Sequence, residues 1–366
     1  MTSKTPAAGA TEAAQTRRVE TFLVKRGPQN TLAGMPNPSG DQSASAHRAP
    51  DADLPGIKLT NEKLRVRVVD NAPRYVPVTD IISGGRNGLA LVFDRKQHKN
   101  IFSDGGLQYV AASARPAGGA GVSPGNAPMR LEAGEGGSAV LSQRGSDATG
   151  LDTRIVFTLG PRHVDQTVTF SSPRDIEGFD TFWSSSMNQV QCTSLFLQGV
   201  LQGGGPPQWL EVTSAGMGGG GLVYYRPFDP IGKSWAEHVV DNPVLRQKAG
   251  ADAVSIAATR AAGFVTNEPN KCPFTGFYYG LVDEFVYLMI FREPGFYFWT
   301  GCSGATVRNP SWDYGICGGA LQAGEERSFH LRLVYKPFAG IQDILAEVQA
   351  FRGGLAGTLC GESAPR

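Results

Sequence analysis

Glu284-Phe285-Val286-Tyr287-Leu288-Met289-Ile290-Phe291 is the stretch whose reading decides the fold. Side chains on a strand alternate between two faces. Phe285, Tyr287, Met289 and Phe291 therefore share one face, and Glu284, Val286, Leu288, Ile290 and Arg292 share the other. Both faces are mostly apolar, which predicts a central strand covered on both sides. Aromatic runs flank it at Phe277–Val282 and Phe296–Thr300 with short connections. Close spacing of that kind implies antiparallel neighbours.

The pattern extends in both directions. Downstream, Phe329, Leu331, Leu333 and Tyr335 alternate until Pro337 stops the run. Ile341, Ile344, Leu345, Val348 and Phe351 then recur at helical spacing and predict a terminal helix. Upstream, half-buried strands are predicted at Lys63–Val69, Tyr75–Ile82, Leu89–Phe93, Met129–Glu132, Ala139–Gln143, Thr153–Leu159 and Val164–Phe170. Gly160-Pro161-Arg162 reads as the turn of a hairpin between the last two. Roughly fifteen short strands and one late helix predict an all-β fold, a large antiparallel two-sheet sandwich.

Residues 1–55 are rich in Ala, Ser, Thr, Pro and Gly, show no sustained period, and read as a disordered N-terminal tail. The β-sandwich domain is expected over 56–338, with a C-terminal helix and tail over 339–366. An insertion at 226–274 breaks the strand pattern and reads as an ordered lid, with a short helix around Val244 to Arg260.

Composition narrows the function. Charged residues are 18% of the chain and the net charge is +1, with no basic run to track phosphates. A nucleic-acid partner is therefore not expected. No apolar run is long enough for a membrane helix. Met1 to Arg26 has no apolar core of a signal peptide, so a cytoplasmic location is the expectation, or export if the natural start lies elsewhere. Cys192, Cys272, Cys302, Cys317 and Cys360 include no CxxC pair. They read as buried residues or free thiols, with a Cys302–Cys317 disulfide expected only on export. No phosphate loop, nucleophile elbow or HExxH zinc motif occurs. No cofactor is expected, and calcium has no motif behind it.

Four groups of residues carry chemistry. His163 and Asp165 point the same way from one strand, a placement suited to proton transfer or to a polar pair at a strand start. Glu237 and His238 adjoin Trp235 in the insertion; an acid, an imidazole and an indole together resemble the contents of a sugar-processing cleft, and equally read as an exposed loop anchored by Trp235. Trp312, Asp313 and Tyr314 form a third group. An indole face can stack on a pyranose and a carboxylate can hold its hydroxyls, but a core Trp and Tyr flanking a turn read the same way. Trp183 and Tyr278 carry the same ambiguity. Arg292, after the decisive strand, can hold a carboxylate or face water, and Glu284 at its start is a further acid.

The succession Phe277-Tyr278-Tyr279-Gly280, then Val286 to Phe291, then Asn309-Pro310-Ser311-Trp312-Asp313, then Leu333 to Phe338, resembles bacterial proteins of the galactose mutarotase-like supersandwich group. The resemblance spans roughly residues 57 to 352 and is one of strand texture and order. It implies a carbohydrate ligand held on one broad sheet. Epimerases of the group use a His and a carboxylate, which here implies His163 or His238 with Glu237, Glu284 or Asp313. Their full motif has no match, so epimerase, lyase and hydrolase chemistries stay open, as do a non-catalytic carbohydrate-binding module and a structural sandwich without ligand.

Overall fold

The computed structural model describes residues 56–360, apart from 72–73, 77–80, 84–86, 98, 116–127, 146–148, 189, 191, 193, 202–204, 216–221, 239–264, 268–272 and 303–309. The expected tail, the body of the insertion and its helix lie outside the described residues.

The chain opens with β1 (Ile57–Thr60) and β2 (Leu64–Val69), followed by a small two-stranded ribbon of β3 (Arg74–Val76) and β4 (Ile81–Ser83). β5 (Gly88–Asp94), β6 (Lys99–Asn100) and β7 (Phe102–Arg115) rejoin β1 and β2. A second sheet starts with β8 (Arg130–Ala133), β9 (Ala139–Gln143), β10 (Asp152–Leu159) and β11 (His163–Ser171). After β12 (Gly178–Met187) returns to the first sheet, the second gains β13 (Leu195–Gly199), β14 (Gln208–Ala215), β15 (Leu222–Pro227), β16 (Val265–Asn267), β17 (Phe274–Val282) and β18 (Phe285–Phe291). β19 (Phe296–Cys302) and β20 (Pro310–Gly318) complete the first sheet, and β21 (Glu326–Pro337) the second. A one-turn helix, α1 (Trp235–His238), follows β15, and α2 (Ile341–Arg352) follows β21.

The first sheet runs β1-β2-β5-β7-β12-β20-β19, with β6 beside β5; the second has eleven strands in the order β16-β15-β14-β13-β17-β18-β21-β11-β10-β9-β8. Every strand pairing is antiparallel within both. The expected all-β two-sheet sandwich with a C-terminal helix is what forms.

All seven residues of β18 are buried, and its two faces meet different partners. Phe285, Tyr287, Met289 and Phe291 join the core between the sheets. Val286, Leu288 and Ile290 pack with Ile341, Ile344 and Val348 of α2 on the far side. The apolar stripe of the helix thus covers the outer face that the sequence of β18 leaves hydrophobic. Close approach shapes the inner layer at Gly280, where a Cβ would lie 2.2 Å from the indole of Trp312. Only a residue without a side chain lets that ring seat against β17.

Three expectations change. Tyr75–Ile82 is a two-stranded ribbon rather than one strand, because residues 77–80 separate Arg74–Val76 from Ile81–Ser83. The stretch read as a turn near Trp312 is the interior of β20, buried at eight of its nine positions. A Cys302–Cys317 disulfide does not fit the strand register, because Cys302 of β19 pairs with Pro310 and Cys317 lies at the other end of β20, roughly 20 Å away against the roughly 7 Å limit of a bridge; Cys192 and Cys360 are buried thiols.

Candidate functional site: an end cavity and the turn that walls it

A cavity of about 470 Å³ opens at one end of the sandwich. Lys96 and Gln97 line it from the β5–β6 turn, Glu284 and Phe285 from the β17–β18 hairpin, Pro337 and Phe338 from the end of β21, and Trp235 from α1.

Each wall is fixed by its own local chemistry. In the β5–β6 turn the buried Asp94 accepts hydrogen bonds from the backbone N–H groups of Lys96 and Gln97, both at 2.9 Å. This is the Asx geometry that makes Asp a turn residue. Its other oxygen pairs with Arg162 of the β10–β11 turn. Gln97 accepts a long bond, 3.4 Å, from the buried Tyr335 hydroxyl. In the β17–β18 hairpin, Asp283 has φ 53°, the one described non-glycine residue with positive φ. Its carboxylate meets Lys99 at 2.6 Å and its carbonyl accepts the indole N–H of Trp235. The Phe338 N–H donates to the Glu284 carbonyl at 2.9 Å.

Trp235 and His238 lie three apart on one helical turn and so face the same way. Ser234 precedes the turn and Glu237 closes it: one carboxylate oxygen of Glu237 accepts both the N–H and the O–H of Ser234, each at 2.7 Å. Ser-X-X-Glu is the capping-box pattern, and it was readable in the sequence. These bonds from Ser234 hold the exposed Glu237 carboxyl below its usual range. Glu237 therefore serves as a cap.

His238 is 3% exposed. Its ring lies edge-on to Phe196, Phe228 and Phe338 at 5.2, 5.2 and 5.0 Å between centroids. Nδ1 is 2.8 Å from the Ser234 carbonyl oxygen and Nε2 is 3.0 Å from the Tyr279 hydroxyl. A carbonyl only accepts, so Nδ1 carries the proton and Nε2 accepts from Tyr279. Loss of water around the ring lowers the imidazole below its ordinary value. Beside it, on the same outer face, the buried Glu211 accepts from Ser194 at 2.7 Å and pairs with Arg226. The neighbouring Cys192 thiol is pushed up to about 12, chiefly by burial. The sequence offered no motif for this group: Tyr279, Glu211 and Arg226 come from three strands, β17, β14 and β15.

The remaining predicted site residues are dispersed. His163 is on the outer face of β11, its Nε2 3.6 Å from Asp165. Arg332 of β21 holds both Asp165 oxygens, at 2.7 and 2.8 Å, and its guanidinium lies 4.6 Å from the Phe351 ring of α2. Burial, more than its charged neighbours, lowers the His163 imidazole. β18 and β21 separate β11 from β17, so His163 and the Tyr279–His238 pair are about 14 Å apart at the usual strand spacing. The two histidines, alternatives in the sequence, thus stand at separate places on the outer face. His330 of β21 is gripped by Glu293, which takes its Nδ1 at 2.6 Å and its backbone N–H at 2.7 Å.

Trp183, Tyr278 and Trp312 are core side chains, at most 2% exposed. Trp183 stacks between Tyr109 and Tyr314, at 4.6 and 5.4 Å. Tyr278 donates its hydroxyl proton to the Trp312 carbonyl at 3.2 Å. All three belong to the core between the sheets. Asp313 is also buried, accepts the Ser185 N–H at 2.7 Å and the Ser311 hydroxyl, and is raised by burial to about 7. Arg292 is exposed beyond β18. Of the residues singled out in the sequence, the cavity brings together Trp235 and Glu284.

No family model and no curated protein matches this sequence. Solved structures do. A candidate aldose 1-epimerase from Escherichia coli K12 is similar over 77% of this chain and 99% of its own, at 9% identity and a TM-score of 0.46. A galactose mutarotase-like protein from Lactobacillus casei is similar over 76% and 99%, at 9% identity and 0.43. An aldose epimerase homologue from C. elegans is similar over 77% and 98%, at 8% identity and 0.42. All three likenesses are partial, each at a TM-score below 0.5.

Proposed function

We propose that this protein binds a carbohydrate in the end cavity, with Trp235 as the stacking ring. The observation that carries the reading is the make-up of that one cavity. An indole, held through its N–H, stands beside a carboxylate (Glu284), an amide (Gln97) and an ammonium (Lys96), with Phe285, Pro337 and Phe338 as an apolar floor. A sugar has the matching chemistry: C–H faces for the rings and hydroxyls for the polar groups. A volume near 470 Å³ is in the range of small-ligand sites. The same ligand class follows from the supersandwich resemblance.

Binding is the role this geometry supports best. Both nitrogens of His238 are engaged and Glu237 is held as a cap, so neither imidazole nor acid from that turn is free for proton transfer. The test is a calorimetric and tryptophan-fluorescence titration against mono- and oligosaccharides, uronic acids included, each with and without calcium. Saturable binding of one sugar class is expected, weakened about tenfold in Trp235→Ala, as loss of a stacking contact of roughly 1.4 kcal/mol would give. A well-folded protein that binds no sugar in the panel would sink the reading.

A further inference from the structure

We propose that the segment from Phe228 to His238 is a pH-sensitive strap: protonating His238 releases it, and the wall that Trp235 gives the cavity goes with it. The link to sugar rests on the reading above; the strap itself does not.

Nδ1–H donates to Ser234 and Nε2 accepts from Tyr279, so the neutral ring satisfies both partners. A second proton can only go on Nε2. It would then point at the Tyr279 hydroxyl, which must turn its own proton away from the ring. The charge would also sit inside three aromatic side chains with little access to water. A buried charge without a partner is disfavoured strongly enough to open the structure instead.

The charged and titratable groups facing the ring do not offset this. Lys233 opposes the charge; Glu237 is exposed and engaged with Ser234. Glu211 of β14 is already paired with Arg226 and Ser194, and Tyr279 of β17 and Cys192 are neutral at physiological pH. Phe338, on the segment after β21, is apolar. Because His238 and Trp235 share one helical turn and one capping box, freeing the first frees the second.

The sign follows from linkage. His238 binds its proton less readily in the closed strap than in water, so closure is fully favoured above about pH 6.5, weakens as pH falls from there towards the lowered value, and levels off below it. The open population rises by up to tenfold per pH unit below about 6.5, one proton being taken up on opening.

Hydrogen exchange of residues 228–238 in the full protein, without sugar, tests this between pH 5 and 8 after correction for intrinsic exchange. Opening that increases several-fold from pH 7 to 5 in the wild type, and is flat in His238→Gln, is expected. Opening independent of pH in the wild type, or equally pH-dependent in His238→Gln, overturns the strap. Sugar affinity measured on the same samples separates the two readings: exchange that responds to pH with no sugar bound at any pH keeps the strap and removes the ligand.

Discussion

Two short stretches look alike in the sequence and end in opposite places. Trp312-Asp313-Tyr314 and Trp235-Ala236-Glu237-His238 each set an aromatic ring beside an acid. The first lies on β20, where period two sends Trp312 and Tyr314 into the core and Asp313 to the other side of the strand. The second is a single helical turn, where a spacing of three puts Trp235 and His238 on one face and leaves Glu237 to cap. The same residue types therefore build a packed layer in one case and a cavity wall in the other. Backbone period decides which, before any chemistry of the side chains.

The comparison can be broken most forcefully at Trp312. Trp312→Ala should lower unfolding stability by about 3–5 kcal/mol in denaturant titration, the usual range for emptying a large core site. A variant that unfolds like wild type but loses a ligand would place the ring in a binding role after all.

Asp313 gives the next largest effect. Its carboxyl is raised from 3.8 to about 7, so the folded protein holds a proton that the unfolded chain releases between those values. Stability should therefore fall as pH rises from about 4 to about 7, by up to roughly 1.4 kcal/mol per pH unit from this group. Asp313→Asn keeps an oxygen for the Ser185 N–H and should remove that slope. An unchanged slope in urea melts across this range would mean that the carboxyl meets water.

Ser234→Ala sharpens the other side of the comparison. Losing an N-cap costs about 1 kcal/mol, and here the loss should show as faster hydrogen exchange confined to the α1 turn. Glu237→Gln is the smallest change expected: sugar affinity should stay within a factor of two at neutral pH, about 0.4 kcal/mol. A loss of a hundredfold or more would restore a direct ligand role to Glu237.

The fold was legible because it rests on periods. Phe285–Phe291 read as a doubly covered strand and is one, and Ile341–Phe351 read as a helix and is one within a residue. Strands without clean alternation were missed. β7 carries Asp104, two glycines and three alanines, and β12 carries three serines, so neither shows an apolar stripe. Of the cavity, Trp235 and Glu284 could be named from residue type. Lys96 and Gln97 could not, because they arrive from a turn about 140 and 190 positions away from those two, by count along the chain. The Glu211–Arg226 pair was hidden for the same reason: charges on separate strands have no local signature. The capping box at Ser234, by contrast, is local and stands in the sequence as Ser-X-X-Glu.

Asp283 joins three parts of the molecule at one residue. Its carboxylate reaches Lys99 of the first sheet, its carbonyl holds the indole of Trp235, and its backbone turns the tightest hairpin of the second sheet at φ 53°. A glycine would adopt that backbone without strain, so design for hairpin stability alone would choose Gly at 283. It would also unfasten the first sheet from the turn. The residue that best suits the hairpin and the residue that best suits the cavity are different, and this chain carries the second.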